Sequence, residues 1–184
     1  MNDLLRVLRV AENELRVSFL PKYFFVVKGS AGSDVSAFNA FDAALTRSGI
    51  GQCNLVLASS ILPKDAKEIP QADIKPGAIT FTVMAHADGV FGETIGAGIG
   101  LGWLTKENRI RYGIIAEAHG IKDEEDIEKE LRRKIKEMAK IRKFGLKDMK
   151  TVVESVKVTK KYGSVVAVLV FLPSSFDKNL VKSD

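Results

Sequence analysis

Glycine occupies every second position in one segment of the chain, at Gly96, Gly98, Gly100 and Gly102. Because alternate residues of a β-strand point to opposite faces of its sheet, a strand here presents one face without side chains. Glycine weakens the interior of a strand, so its repetition indicates that another backbone packs closely against that face. We therefore predict two sheets packed through this bare surface, closer together than the usual separation of about 10 Å. A phosphate-binding loop needs Gly-x-Gly-x-x-Gly between a strand and a helix, and a period of two does not match that spacing.

The rest of the sequence alternates between strand-like and helix-like segments. Apolar residues at three- and four-residue spacing predict a helix from Phe38 to a stop at Gly49, and a longer helix between an N-cap at Asp123 and a stop at Gly145. Strands are predicted over residues 23–28, 78–85, 96–103, 109–116, 152–158 and 164–172, together with a buried strand that ends at Ser60. A loop is predicted at 29–34 and an exposed connection at 63–76. This order predicts an α+β fold, and 184 residues fit a single domain over 1–184.

The composition argues against several classes of protein. A single cysteine, Cys53, excludes a disulfide within the chain, and two histidines leave little for a metal site. The net charge of +5 resides mainly in helix-like sequence interleaved with glutamates and poor in aromatics, which favours a solvated helix face over a nucleic-acid surface. The sequence shows neither a long apolar run nor a leader, so a cytoplasmic protein without membrane contact is expected.

Two consecutive serines, Ser59 and Ser60, stand at the end of a predicted strand. If the second hydroxyl attacks the carbonyl of the first serine, the amide becomes an ester, and β-elimination followed by hydrolysis leaves a pyruvoyl group on the new N-terminus. The dipeptide alone is usually an ordinary strand-to-turn junction. A second pair, Ser174-Ser175, lacks the glycines and asparagine that precede the first pair and is interpreted as a loop before a polar tail.

The sequence around Ser59-Ser60 resembles the processing segment of the pyruvoyl-dependent arginine decarboxylases, which are related to the pyruvoyl-dependent histidine decarboxylases. That segment has Gly-x-Gly-x-x-Asn-Leu before the serines and hydrophobic-x-Pro after them, and the matching residues here are Gly49, Gly51, Asn54, Leu55, Ile61 and Pro63. The resemblance covers residues 22–172 and includes the segments 38–45, 76–78, 92–95 and 137–141. It implies a four-layer α/β/β/α sandwich with closely packed glycine-faced sheets, and a homotrimer with sites between subunits.

The resemblance also implies roles for individual residues. Ser60 becomes the pyruvoyl group, so cleavage yields a β chain of residues 1–59 and an α chain of residues 60–184. Glu117 maps onto the catalytic proton donor, and a buried strand-end carboxyl would have the raised pKa which that task needs. Without the resemblance, a solvent-facing glutamate is the simpler interpretation. Asp42 maps onto the residue that binds the substrate guanidinium, which a carboxylate can do with two parallel charge-assisted hydrogen bonds.

Asn54 is implied to assist cleavage or to line the site, although a polar residue that satisfies a turn after Gly51 is an equal interpretation. In a straight strand Asn54 and Ser60 lie roughly 20 Å apart, so they meet only if the chain turns back or a neighbouring subunit intervenes. The backbone of Gly51 and Cys53 and the residue Ser59 are assigned to the substrate pocket, and the Cys53 side chain is interpreted as a small apolar residue. His119 and Lys122, which follow Glu117 in the sequence, are expected on the surface. No role is assigned to residues 1–21.

The expected function is a self-processing arginine decarboxylase, a carbon–carbon lyase that makes agmatine and CO2 for polyamine biosynthesis. Its cofactor would be the pyruvoyl group derived from Ser60, without pyridoxal phosphate or a metal. Three alternatives stay open. The first is a pyruvoyl decarboxylase of another amino acid. The second is an unprocessed non-catalytic homologue that binds a basic ligand or a sister subunit, and the third is a nucleic-acid-binding β protein.

Overall fold

The computed structural model describes residues 20–173 and residue 176. That part of the chain contains nine strands and two helices. In chain order they are β1 (Pro21–Ser33), α1 (Ala37–Arg47), β2 (Asn54–Leu57), β3 (Ile61–Pro63), β4 (Lys67–Glu68), β5 (Ile79–Val90), β6 (Thr94–Lys106), β7 (Arg109–Gly120), α2 (Glu124–Ile141), β8 (Gly145–Lys157) and β9 (Tyr162–Pro173). The described residues contain no helix long and apolar enough to cross a membrane.

The strands form two sheets, one of five strands and one of four. The first sheet has the order β2-β5-β9-β1-β4, and the second has the order β3-β7-β6-β8. The long strands pair antiparallel, whereas the two short strands β2 and β4 pair parallel with β5 and β1. Strands β2 and β3 are neighbours in sequence but lie at the edges of different sheets. The chain therefore crosses from one sheet to the other between Leu57 and Ile61.

Three apolar clusters give the packing order of these elements. The first cluster joins the sheets, with Val83, Ala85 and Leu169 facing Ile99 and Ile115. A second cluster packs α1 against the other face of the first sheet, and a third packs α2 against the other face of the second sheet. Helix, sheet, sheet and helix follow one another, which confirms the predicted α+β sandwich.

The glycine pattern predicted that the bare face of β6 packs against the other sheet. It packs against α2 instead. A Cβ added at Gly98 would lie 2.8 Å from Ile127 Cγ2 and 2.9 Å from Leu131 Cδ1, both on α2. Gly96, Gly100 and Gly102 likewise face the α2 side of the sheet. The alternate residues of β6, Ile95, Ala97, Ile99 and Leu101, fill the space between the sheets. The prediction of glycine-faced sheets packed together is therefore wrong, because the backbone of β6 approaches a helix.

Other sequence-based boundaries also need correction. Residues 29–33 continue β1 and are not a loop, and their small side chains have a packing reason. A Cβ at Gly29 would lie 2.6 Å from the carbonyl oxygen of Ala44, so glycine lets α1 pack on the strand. Helix α2 ends at Ile141 with a C-cap at Arg142, and Gly145 begins β8. The predicted N-cap is confirmed, since Asp123 Oδ1 accepts a hydrogen bond from the Asp126 N–H at 3.0 Å.

Three sequence-based interpretations fall outside the described residues. They concern the N-terminal stretch over residues 1–19, the second serine pair Ser174-Ser175, and the polar tail over residues 177–184.

Candidate active site

The Ser59–Ser60 peptide bond lies at the point where the chain passes between the sheets. On one side, the Ala58 N–H donates to the Thr82 carbonyl of the first sheet at 2.8 Å. On the other side, the Ser60 carbonyl accepts from the Ile115 N–H of the second sheet at 2.9 Å. The strand predicted to end at Ser60 is β2, which already ends at Leu57, and a second edge strand, β3, begins at Ile61, so both serines lie between strands. The Ser59–Ser60 peptide bond is thus held from both ends.

The backbone turns tightly at the second serine. The Ile61 N–H donates to the Ser59 carbonyl at 3.1 Å, so a hydrogen bond joins residues two apart and closes a γ-turn centred on Ser60. Ser59 is exposed and Ser60 is half-buried. The carbonyl that Ser60 would attack thus faces a backbone donor.

Glu117 and Ser60 lie on the same face of the second sheet. Ile61 pairs with Ile114 and Leu62 with Gly113, so this register extends to Ser60 opposite Ile115. Ile115 and Leu62 are both buried between the sheets, and residues two apart in a strand share a face. Ser60 and Glu117 are then diagonal neighbours, a relation that places Cα atoms about 7–8 Å apart in a regular antiparallel pair. Glu117 is half-buried, so it is partly shielded from solvent and partly exposed to it.

A network on α2 holds the backbone of Glu117. The Lys134 ammonium donates to the Glu117 carbonyl at 2.7 Å. Glu130 pairs with Lys134 at 2.6 Å and with Lys122 at 2.5 Å. Hydrogen bonds from Lys122 and then Lys134 lower the pKa of the Glu130 carboxyl to about 2, despite partial burial. Lys122, predicted to be a plain surface residue, is one end of this network.

Sequence analysis did not identify Lys134 or Glu130. Their separation of four residues on a helix predicts an ion pair between them. It does not predict that Lys134 also contacts the backbone of β7. The carbonyl of Glu117 is available to Lys134 because β3, its neighbour strand, has left the second sheet by this point.

Asp42 lies in a different layer from Ser60. It is exposed on α1, off the apolar stripe that buries Ala40 and Ala44, as predicted. Helix α1 packs on the face of the first sheet that points away from the second sheet, whereas Ser60 faces the space between the sheets. The structure therefore does not bring Asp42 and Ser60 together within one chain.

The glycine-rich motif before β2 shapes the backbone next to α1. Gly49 has φ of +77°, a conformation that favours glycine. A Cβ at Gly51 would lie 2.7 Å from Thr46 Oγ1 and 2.8 Å from its backbone nitrogen, so this glycine allows close approach to the last turn of α1. Both glycines thus have structural reasons to be present, and Gly51 lies one helical turn from Asp42.

Asn54 and Cys53, which follow Gly51 in the sequence, also contact residues near them. The Asn54 side-chain amide donates to the Gly77 carbonyl at 2.8 Å, which fits the interpretation as a turn-satisfying residue. Cys53 packs against the cluster under α1, and burial raises the pKa of its thiol, with a hydrogen bond to Thr80 opposing the shift. An extended path runs from Asn54 to Ala58 and covers roughly 13 Å at about 3.3 Å per residue, so Asn54 lies well away from the serine pair in this chain.

A groove of about 620 Å³ opens beside the serine pair. Its walls are mainly apolar and include Ser59, Ile61, Ile79, Phe81, Phe171 and the acidic residue Asp73. The neighbouring edge strand is exposed, which corrects the prediction of a buried strand: the exposed fraction is 39% for Val56 and 65% for Leu57. Apolar side chains thus lie beside the serine pair and remain open to solvent.

Comparison with known proteins places this arrangement in context. The family model described as pyruvoyl-dependent arginine decarboxylase matches residues 23–176. A pyruvoyl-dependent arginine decarboxylase of Methanopyrus kandleri is 35% identical over 153 residues, which are 83% of this chain and 97% of that protein. The protein of that name from Pyrococcus abyssi is 34% identical, over 80% of this chain and 94% of its own. The one from Methanocaldococcus jannaschii is 37% identical, over 70% of this chain and 75% of its own.

The fold and the serine pair together define a class: a two-sheet α+β sandwich with Ser-Ser at the crossing between edge strands. The matched residues include β1 from residue 23 onward, all the other described strands and both helices, together with the serine pair, Glu117 and Asp42. The chain belongs to the pyruvoyl-dependent arginine decarboxylase family.

Proposed function

We propose that the chain cleaves itself between Ser59 and Ser60 and then converts arginine to agmatine and CO2. The observation that carries the proposal is the position of the serine pair. The Ser59–Ser60 peptide is anchored to the first sheet through Ala58 and to the second through the Ser60 carbonyl, with a tight turn between. Family membership supports arginine as the substrate.

The surroundings of Ser60 fit a pyruvoyl group. Leu62 and Ile115 make the neighbouring surface apolar, and Glu117 supplies a carboxyl group on the same face. A pyruvoyl group supplies an electron sink, so that a carboxylate on the bound amino acid can leave as CO2. The apolar neighbours reduce the contact of this position with water. Glu117 is the group that delivers a proton to the substrate α-carbon after CO2 has left.

Substrate recognition requires a carboxylate for the guanidinium, and Asp42 is assigned this role. Because Asp42 lies behind the first sheet from Ser60, the proposal includes a second copy of the chain that brings its own Asp42 to the site. The backbone of Gly51 and Cys53 lies beside α1 and joins Asp42 in that half, with Asn54 next to it. Ser59 and the groove beside it form the half contributed by the other chain.

Exposed apolar side chains supply the surface for that second copy. On the edge formed by β2, β3 and β5, the exposed fraction is 65% for Leu57, 73% for Ile79, 41% for Phe81 and 41% for Ile61. Exposed apolar patches of this kind mark interaction sites, and this one lies next to the serine pair. We assign it to the subunit contact of a homotrimer with its sites between subunits.

The test is the intact mass of the purified full-length protein. Two fragments are expected, one ending at Ser59 and one beginning at position 60 and lighter than a serine-led fragment by the mass of ammonia. The matched variant Ser60→Ala should remain whole. A wild-type preparation that stays a single 20.1 kDa chain would contradict the proposal and favour the non-catalytic alternative.

The substrate is tested separately on the cleaved protein, with arginine, lysine, ornithine and histidine as candidates. Release of CO2 from arginine with formation of agmatine is the expected result. Faster release from another amino acid would leave the pyruvoyl chemistry standing and remove arginine as the substrate.

A further inference from the structure

We infer that the backbone N–H of Ile61 is the hydrogen-bond donor that stabilises the oxyanion formed when Ser60 attacks the Ser59 carbonyl. The inference rests on the proposed self-cleavage and adds a group to its machinery. It starts from the γ-turn at Ser60, in which this N–H donates to the Ser59 carbonyl oxygen at 3.1 Å. That oxygen is the atom on which negative charge develops.

The Ile61 N–H is free for this task because the second sheet does not use it. In an antiparallel pair, residues that exchange hydrogen bonds alternate with residues that do not. The bond from Ile115 to the Ser60 carbonyl places Ser60 among the bonded residues of this strand. Ile61, opposite Ile114, therefore belongs to a non-bonded pair, and its N–H points to the outer edge of β3. The donor is directed at the Ser59 carbonyl by the turn alone.

The reaction uses this donor in its first step. Ser60 Oγ loses its proton and bonds to the Ser59 carbonyl carbon, which forms a five-membered ring and moves an electron pair onto the carbonyl oxygen. The Ile61 N–H stabilises that charge. When the carbonyl re-forms, the C–N bond breaks and the nitrogen of Ser60 takes a proton, which leaves an ester between the two serines.

The second step removes the Cα proton of Ser60 and expels the Ser59 carboxylate, which leaves a double bond between Cα and Cβ at position 60. Water then releases ammonia and leaves the keto group. No oxidant or reductant is consumed. A donor on the Ser59 oxygen assists the first step only, because afterwards that oxygen is an ordinary ester carbonyl.

The anchors on either side explain why this donor is well placed. Ala58 is fixed to Thr82 and Ser60 to Ile115, so the backbone is held on both sides of the Ser59 carbonyl. A donor that is already oriented costs no reorganisation when the charge forms, which is the basis of oxyanion stabilisation in enzymes. The crossing between sheets thus positions the reacting carbonyl and its donor together.

The test measures the rate of cleavage in newly made full-length chain, by cell-free synthesis, a stop in translation, and mass analysis of samples over time. Ile61→Pro removes the N–H and should slow cleavage by about 100-fold, the effect of losing one oxyanion donor. Lys64→Pro is the matched control. It adds proline to the same segment at an exposed second position of a turn, where proline is favoured, and should cleave at the wild-type rate.

A second variant removes the N–H without the proline ring. Replacing Ile61 with its α-hydroxy acid by stop-codon suppression changes one N–H to oxygen and keeps the side chain. It should also slow cleavage by about 100-fold. Hydrolysis at the new ester would start a fragment at position 61 and is distinguished by mass.

The outcomes separate this inference from the proposed function. If the wild type cleaves and the rate for the hydroxy-acid variant is within about threefold of the wild-type rate, the inference is overturned and self-cleavage stands. If the wild type does not cleave, the proposed function fails and the inference fails with it. Slow cleavage in both variants, with a normal Lys64→Pro rate, supports the donor.

Discussion

The two halves of the site differ in how completely a single chain builds them. Around Ser60, one chain supplies the anchored peptide, Glu117 on the same sheet face, and the Lys134 contact that fixes the Glu117 backbone. Around Asp42, the same chain supplies an exposed carboxylate on α1 and the neighbouring backbone of Gly51 and Cys53. Under the proposed function, we therefore expect cleavage to need only the residues around Ser60 in one chain, and decarboxylation to need a second copy as well.

The largest expected effect comes from removing the proton donor in the first half. Glu117→Gln should lower kcat for arginine decarboxylation by about 100- to 10,000-fold, because the amide cannot deliver a proton to the substrate carbon. Cleavage at Ser59–Ser60 should still go to completion, as measured by intact mass. A variant that decarboxylates at the wild-type rate would show that Glu117 is not the donor.

The second effect concerns the other half and should separate binding from cleavage. Asp42→Asn should lower kcat/KM for arginine by about 10- to 100-fold, because a charge-assisted contact to the guanidinium is lost, while cleavage remains complete. Steady-state kinetics on the cleaved protein provide the measurement. The matched control is Asp148→Asn, an exposed residue of β8 with φ of +51°, a conformation that asparagine tolerates.

Asp73 is the competing carboxylate, since it lines the groove beside Ser59 within the same chain. If Asp73→Asn raises KM and Asp42→Asn does not, the guanidinium site belongs to the first half, and the comparison between the halves breaks down.

The third effect tests the exposed edge directly. Leu57→Asp places a charge on a side chain that is 65% exposed in the single chain and should therefore cost little folding stability. If the edge is a subunit contact, burying that charge is unfavourable, and sedimentation should show monomers where the wild type forms trimers. Decarboxylation should fall with the trimer while cleavage continues. A trimeric Leu57→Asp protein would place the contact elsewhere.

The smallest effect concerns the network behind Glu117. A carboxyl whose pKa falls from 4.5 to about 2 on folding stabilises the protein above pH 4.5, and this contribution is lost as the pH falls toward 2. Glu130→Gln should therefore lower the free energy of unfolding by about 1–3 kcal/mol at neutral pH, with the difference shrinking as the solution is acidified. Denaturant unfolding at several pH values measures this.

A matched ion pair on the same helix provides the control. Glu125 pairs with Lys129 at 2.6 Å, but its side chain is 75% exposed. Glu125→Gln should change stability by less than about 0.5 kcal/mol, because solvent screens an exposed pair. Equal losses in the two variants would contradict the larger stabilisation assigned to the pairs that Glu130 makes with Lys122 and Lys134.

Much of the fold could be predicted from the sequence, because local patterns determine its regular elements. The apolar stripe and the Asp123 cap correctly identified α2, and aromatic and β-branched segments correctly located the long strands. The glycine alternation correctly indicated a strand with one bare face. It did not indicate what covers that face, because a helix and a second sheet both need close approach to the backbone.

The site was harder to predict, because its central features are backbone contacts across the fold. The resemblance pointed to Ser60, Glu117 and Asp42, and these assignments remain predictions. The sequence contained no sign that the chain leaves one sheet and enters another at Ser59, since β2 and β3 appear as one apolar segment. The donors Lys134 and Ile61 were missed for the same reason, because the carbonyl oxygens that they contact carry no residue-specific pattern.

The central claim, that two chains complete one site, is tested most directly by mixing two impaired variants and assaying them at low arginine concentration. Purified, cleaved Glu117→Gln and Asp42→Asn proteins are dissociated together, allowed to reassemble, and assayed for agmatine. If the halves come from different chains, mixed assemblies contain sites with both residues intact, and activity should rise well above that of either variant reassembled alone. A mixture no more active than its components would place Asp42 and Glu117 in the same half and contradict the account.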